Sequence, residues 1–299
     1  MNVAKSVLSI NRILLPSGDA LSSIEAHSIM RNNYTKVVAI ADSAGSGKTT
    51  LVTSIFQKFM KESFAGYRFS GSKTLVGFEQ RCHLARISSH MEHQNTERTH
   101  PSSQEIFLHL NLCDSKQTHT DVLFSDISGE VFKVLKDSVD DCSKNELLKR
   151  ADHLVLLIDG EKLMDAGERH KEKIQAEVFL RCCSDAGHLN GIRHIHIVIS
   201  KLDLIESDAQ KKTHLEFMNI LKNSIMLRHK DNIENFYFYK IAARAEYGDY
   251  DICHGVAPLL KRCANLFKSY SLQSYDITVS DDKFNSEFDK FHHRHFNSI

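Results

Sequence analysis

The stretch Val37–Thr50, reading VVAIADSAGSGKTT, constrains this chain more than any other. Val37 to Ala41 is a short apolar, β-branched run, the pattern of a buried strand. Asp42 to Gly47 is rich in small residues. Lys48-Thr49-Thr50 then opens a helical pattern whose apolar positions are Leu51, Val52, Ile55, Phe56, Phe59 and Met60. Strand, Gly-rich loop, Gly-Lys-Thr and helix form the layout of a phosphate-binding P-loop (Walker A). Backbone N–H groups in such a loop wrap an anion at a helix N-terminus, and the Lys adds a full positive charge. Asp42, Ser43, Ala44, Gly45, Ser46, Gly47, Lys48, Thr49 and Thr50 are therefore the first candidate nucleotide contacts. One position departs from G-x-x-x-x-G-K-[ST]: Asp42 stands where the first Gly belongs. A carboxylate facing a phosphate would repel it, so Asp42 is expected to turn away and bond to backbone N–H groups.

The remaining 285 residues must decide what kind of phosphate ligand this is. Lys+Arg and Asp+Glu both number 38, which gives no charge bias toward nucleic acid, membranes or acidic substrates. Seven cysteines, an odd number without a C-x-x-C pair, favour reduced thiols over a disulfide frame. The 18 histidines are scattered and form no H-E-x-x-H or other metal-ligand spacing, so they read as surface or satisfied core residues. The N-terminus lacks a secretory pattern, and the longest apolar run, Leu154 to Ile158, is far too short to span a bilayer. A soluble, cytoplasmic protein is expected.

Alternating strands and helices define the organisation. Ala20 to Met30 reads as a helix, and Phe64 to Gln104 as a long, partly ordered connection of the kind that is functional or mobile. Glu105–Leu112 and Val122–Asp126 read as an antiparallel strand pair. Ala151–Asp159, Ile192–Ser200 and Phe236–Ile241 read as further strands. Glu161–Cys183, Ala209–Leu227 and Gly255–Phe267 read as the helices between and after them, with Pro258 in a first turn that tolerates it. This alternation implies an α/β fold with helices on both faces of the sheet. The expected domains are an N-terminal extension (1–34), a nucleotide domain (35–270) with an insertion at 63–104, and a C-terminal tail (271–299).

Three further motifs come after the P-loop in order. The strand VLFSD ends in Asp126-Ile127-Ser128-Gly129-Glu130, where an Asp at a strand tip can hold Mg²⁺ through water. Gly129 can offer a backbone N–H to a γ-phosphate. The strand IRHIHIVIS runs into Ser200-Lys201-Leu202-Asp203, matching the [NTS]-K-x-D base-recognition pattern. Its carboxylate can accept from N1–H and the exocyclic amine of guanine; adenine has no such amine and leaves the carboxylate unsatisfied. After FYFYKI, Ala242-Ala243-Arg244 stands in place of the S-A-K loop whose backbone supports the guanine O6.

Together these motifs resemble the GTPases of the translation-factor and Ras-like (TRAFAC) class over about residues 36–267. The blocks Gly71–Phe78, Ser125–Glu130, Arg150–His153 and Asp159–Glu161 are similar, more narrowly, to the double-GTPase family of bacterial conflict systems. The resemblance implies a Ras-like three-layer sandwich whose mostly parallel sheet has one antiparallel strand. It also implies GTP/GDP as ligand, Mg²⁺ as cofactor, and a protein partner, a second GTPase-like component or an effector, in defence-type gene clusters. In the hydrolysis of GTP to GDP and phosphate that the resemblance implies, Lys48 bridges the β- and γ-phosphates, Thr49 ligates Mg²⁺ directly, and Asp126 holds its water shell. The switch Thr is sought on the long connection, where Thr99 is favoured over Thr96 as a metal ligand and Arg98 is a candidate internal arginine finger. Glu130 occupies the position of a water-orienting Gln; a carboxylate there cannot donate as the amide does, so slow intrinsic hydrolysis is expected. Three readings remain open at this stage: a GTPase switch, a non-hydrolysing GTP-binding module, and an ATPase.

Overall fold

A computed structural model of the protein describes residues 18–42, 45–87, 106–126, 128–192, 194–230 and 235–265. Its elements are β1 (Leu21–Ser22), α1 (Ser23–Asn32), β2 (Thr35–Asp42), α2 (Lys48–Lys61), β3 (Arg68–Gly71), α3 (Leu75–Ile87), β4 (Ile106–Cys113) and β5 (His119–Asp126). They continue with α4 (Gly129–Asp137), α5 (Val139–Lys144), α6 (Glu146–Arg150), β6 (His153–Ile158), α7 (Gly160–Met164) and α8 (Arg169–Asp185). The last are α9 (His188–Gly191), β7 (His194–Ile199), α10 (Leu202–Ser207), α11 (Lys211–Arg228), β8 (Phe236–Lys240) and α12 (Ala257–Ala264).

The strands form one eight-stranded sheet in the order β1-β4-β5-β2-β6-β7-β8, with β3 also paired to β4. β5, β2, β6, β7 and β8 are mutually parallel. β4 runs against β5, β1 and β3, so it is the one antiparallel strand among the described residues. β1 takes the start of β4 (Leu21 opposite Phe107) and β3 its end (Arg68 opposite Cys113), so two short strands share one edge. The sequence pattern marks no strand at either place: two to four residues carry too little alternation to be seen.

Side-chain parity divides the core. Val37, Ala39, Leu154, Leu156, Ile195 and Ile197 face α1, α4–α9 and α11. Val38, Ile40, Val122, Phe124, Val155, Leu157 and Val198 face α2, α3 and α12. Successive strand residues point to opposite faces, and a strand apolar at every position must be covered on both, which is why ADHLVLLID reads as a continuous apolar run. Leu21, Ala26 and Ile29 belong to the first of these cores, so residues just before the first long strand pack with the sheet.

The predicted helix over Glu161–Cys183 is two helices. The Asp165 carboxylate accepts from the N–H of Gly167 (2.6 Å) and Glu168 (3.2 Å), and this turn ends α7 before α8 begins. Residues 129–150, without an assignment from sequence, form three short helices. Ser128, Ser138 and Asn145 cap them through side chains that accept from Val131, Asp141 and Leu148 N–H. Ser138 and Asn145 each close one helix and cap the next, which keeps all three too short for a clear 3.6-residue period.

The segment around Gly71–Phe78 is tied to the sheet by a buried polar network. Lys73 N–H donates to His109 Nδ1 (3.0 Å), and His109 Nε2 donates to the Asp121 carboxylate (2.8 Å). Asn111 adds a second donor (2.6 Å) and Thr74 Oγ1 accepts from His109 N–H (2.9 Å). Burial works to raise the Asp121 carboxyl, but these hydrogen bonds outweigh it and hold it below the usual carboxylate range. Among the described residues no helix is long and apolar enough to cross a membrane.

Candidate functional site

The parallel strands end on one edge of the sheet, and the loops read from sequence all leave from it. β2 lies between β5 and β6, so the chain departs to one side of β2 and returns on the other. A crevice at such a reversal, beyond the carboxyl ends of the strands, is where open α/β sheets bind ligands.

β2 ends at Asp42 and α2 starts at Lys48. Gly45 and Gly47 between them have φ of +91° and +96°, conformations that Gly adopts without strain. Gly47 caps α2 without a side chain, leaving the first-turn N–H groups directed into the loop. Ser46 Oγ is buried and has no hydrogen-bond partner among the described residues. Ser43 and Ala44 lie outside those residues, as do Thr96, Arg98 and Thr99.

Asp42 does not turn away from the loop. Its carboxylate, 1% exposed, makes an ion pair with the Lys48 ammonium, whose side chain is 10% exposed. Asp42 is thus an internal counter-ion for the P-loop lysine, a contact that the expectation of backbone capping did not include. The reason is proximity: six residues apart across the loop, the two charges meet in a site that offers little water to either.

At the next strand end, Asp126 closes β5 beside Ile40 of β2. Gly129 is the first residue of α4, and Glu130 comes after it, exposed and paired with Lys133 at 3.4 Å.

The β6 and β7 ends are locked together. Ser200 is buried, and its N–H and Oγ both donate to Ile158 O (3.0 and 3.3 Å). Lys201 takes a left-handed conformation (φ +52°) and sends its ammonium back to Asp159 (3.0 Å) and Glu161 (2.6 Å). Burial works to lower the Lys201 pKa, but the Glu161 hydrogen bond and the Asp159 charge outweigh it and hold it above the usual lysine value. Gly160 makes this contact possible, because a Cβ there would lie 2.0 Å from Ser200 O. Replacing Gly160 with Ala is therefore expected to displace the Ser200–Lys201 turn and destabilise the protein by about 1–3 kcal/mol. Urea unfolding measures this, and wild-type stability in the variant would reject the contact.

Asp203 is 3% exposed in α10. Its Oδ2 accepts from the N–H groups of Glu246 (2.8 Å) and Tyr247 (3.4 Å), on the loop after β8. Ala242 N–H donates to His254 O (3.1 Å), and Cys253 N–H to Ala243 O (2.9 Å), closing that loop on itself. Arg244 reaches Gln57 of α2, and Tyr250 reaches Glu206. Sequence motifs named Asp203, Ala242, Ala243 and Arg244 but missed the loop's hold on Asp203, which involves backbone groups that no residue type marks.

The geometry sets these loops at the carboxyl ends of neighbouring parallel strands. The sequence matches the model of a known family, Double-GTPase 2, over residues 36–264. The chain belongs to the Double-GTPase 2 family. This family membership and the sheet described above make it a GTPase-like domain with the α/β architecture of P-loop GTPases. No curated protein sequence matches it. Among solved structures, it is similar to the GTPase-like domain of S. cerevisiae Ski7 bound to GDP and inorganic phosphate: TM-score 0.43, 14% identity, 80% of this chain and 52% of that one. It is also similar to a chain of the Chaetomium thermophilum signal recognition particle receptor SRb-GTP/SRX complex (TM-score 0.43, 15% identity, 77% and 97% covered). A third is the Methanococcus maripaludis elongation factor SelB with a GTP analogue (TM-score 0.40, 14% identity, 77% and 33% covered). The double-GTPase chain thus spans about half of the Ski7 structure and a third of the SelB structure.

Proposed function

We propose that this double-GTPase domain binds GTP and Mg²⁺ and hydrolyses GTP slowly, acting as a switch toward a protein partner. The observation that carries the reading is the convergence of the P-loop, the Asp126–Gly129 turn and the Ser200–Asp203 turn at one edge of the sheet. The surroundings of Asp203 add to it: one oxygen is engaged by the β8 loop, leaving Oδ1 to accept from a guanine edge.

The residues fit the ligand. Ser46 Oγ is a buried hydroxyl without a partner among the described residues, and a phosphate oxygen would satisfy it. Thr49, at the second position of α2, offers a hard oxygen of the kind Mg²⁺ takes, and Asp126 stands at the neighbouring strand end to hold the ion through water. Mg²⁺ held by these residues would offset the negative charge of the triphosphate. Lys48 bridges the β- and γ-phosphate oxygens, Gly129 N–H contacts the γ-phosphate, and the first-turn N–H groups of α2 hold the β-phosphate. Water attacks in line, giving GDP and phosphate. Thr99 and Arg98 are assigned to the switch segment on sequence grounds, within the insertion at 63–104. The nucleotide domain is taken as 35–270 between its two terminal extensions, working in the cytoplasm, and a role in bacterial defence is drawn from the family resemblance.

Glu130 is exposed and cannot donate a hydrogen bond as an amide would, which supports slow turnover completed by a partner. Phosphate release by pure protein is expected below ~1 s⁻¹, and Lys48→Ala is expected to bring it to background. Release that persists in Lys48→Ala would end the hydrolytic reading. The non-hydrolysing alternative is favoured by one observation, the Asp42–Lys48 ion pair, which occupies the ammonium that hydrolysis needs. GTP binding without any Lys48-dependent release would select it. ATP binding as tight as GTP binding would instead select the ATPase reading.

A further inference from the structure

We propose that His153, His196 and Cys263 form a second ligand site, for a thiophilic transition-metal ion, Zn²⁺ by preference, at the end of the sheet away from the nucleotide loops. His153 opens β6, whose other end carries Asp159, six residues and about 20 Å away along the strand. In the β6–β7 register, His153 lies opposite His194 and Val155 opposite His196. Paired residues of parallel strands share a face, and Val155, Leu157 and Val198 identify that face as the one under α12. α12 lays Cys263 over it, beside the buried Leu259 and Leu260.

The three donors meet. His153 Nδ1 lies 3.1 Å from His196 Nε2, Cys263 Sγ lies 4.0 Å from the same nitrogen, and the three ligand atoms are all within 4.8 Å of one another. Tetrahedral Zn²⁺ with ordinary Zn–N and Zn–S bonds separates its ligand atoms by about 3.3–3.6 Å, within half an ångström of the two distances. Three protein donors leave a fourth position for water.

Hydrogen bonding alone does not account for the cluster. Both rings are 0% exposed, and neither His153 Nε2 nor His196 Nδ1 has a partner among the described residues. A neutral imidazole carries one proton. Whichever ring donates in the His153–His196 bond, one buried N–H is left without an acceptor and one lone pair without a donor. Valine or leucine, as at the neighbouring positions 155, 157 and 198, would fill this core without that penalty. A metal ion would take both facing nitrogens as lone pairs and place each ring's proton on its outer nitrogen, so it is the meeting of three donor atoms, and not the outer nitrogens, that points to the ion.

Each donor has a defined part in holding such an ion. Each ring, as a neutral imidazole, has one lone pair to offer. Metal binding would release the Cys263 thiol proton to solvent: one S–H bond breaks and one S–metal bond forms. The His196 ring lies 5.5 and 5.7 Å from the rings of Tyr237 and Tyr239, which with Arg262 line part of a neighbouring cavity of about 380 Å³.

Adding Co²⁺ to the metal-stripped full chain tests this. A thiolate-to-cobalt charge-transfer band is expected, saturating at one equivalent, bleached by Zn²⁺, lost in Cys263→Ser and retained in Cys142→Ser. The metal ligands assigned at the nucleotide site, Thr49 and Asp126, offer oxygen and no thiol, so Co²⁺ held by them gives no such band. Wild-type protein without the band, or a band that survives in Cys263→Ser, would overturn the site. Because Cys263→Ser can fail to fold, a second measurement uses wild type alone. Zn²⁺ at a hundredfold excess over its Kd should raise Tm by about 5–10 °C, reversibly with a chelator, and no shift would equally overturn the proposal.

Discussion

Asp42→Gly is expected to tighten GTP binding by about ten- to a hundredfold while lowering the stability of the nucleotide-free protein. Two effects act in the same direction. Asp42 is buried against Lys48, so a phosphate arriving at the loop must compete with a carboxylate for the ammonium and lie near that carboxylate's charge. Two like charges a few ångströms apart in a partly buried site repel by about 3 kcal/mol at an effective dielectric near 20, and a hundredfold in affinity corresponds to about 2.7 kcal/mol. Without Asp42, the free protein keeps a nearly buried Lys48 charge with that counter-ion gone, which costs stability that bound GTP restores. Fluorescent GTP titration with Mg²⁺, paired with thermal melts with and without GTP, reads both. Equal or weaker GTP binding in the variant would mean that Asp42 supports the ligand rather than opposing it.

Asp203→Asn is expected to weaken GTP binding by about a hundred- to a thousandfold and to leave ATP binding within a few-fold of its starting value. The cause is donor and acceptor matching. In the wild type Oδ2 accepts from Glu246 and Tyr247 N–H, and Oδ1 remains for the guanine donors. An Asn must turn its single oxygen toward the loop to keep those two bonds, and then its NH₂ faces the N1–H and N2 amine of guanine. Donor meets donor in a buried site, at about 1–3 kcal/mol for each unsatisfied group. Parallel GTP and ATP titrations of both proteins decide it. Preference for GTP unchanged in the variant would remove Asp203 from base reading.

Much of the fold was legible in the chain because the signals are local. The apolar runs at 37–41 and 154–158 are buried on both faces, and each gives way to a loop or helix start marked by small or polar residues. Elements were missed where the local signal is weak. β1 and β3 are two and four residues long and exist by pairing with β4. α4 to α6 share cap residues and never develop a period. At the candidate site, residue types announced Lys48, Asp126, Gly129 and Asp203. They could not announce which way Asp42 would face, or that Lys201 would reach Asp159 and Glu161 about 40 residues earlier.

The sequence by itself determined the order of the long strands, the phosphate loop and the spacing of the motifs after it, since each rests on neighbours in the chain. Only the tertiary structure decided the partners. Parallel register and the return of α12 bring Cys263 to His153 and His196, residues that look like scattered core positions in the chain. The same packing closes the β8 loop onto Asp203 and sets Asp42 against the P-loop lysine. Such contacts join groups far apart in sequence, or hang on the direction of one side chain, and no period or motif records either.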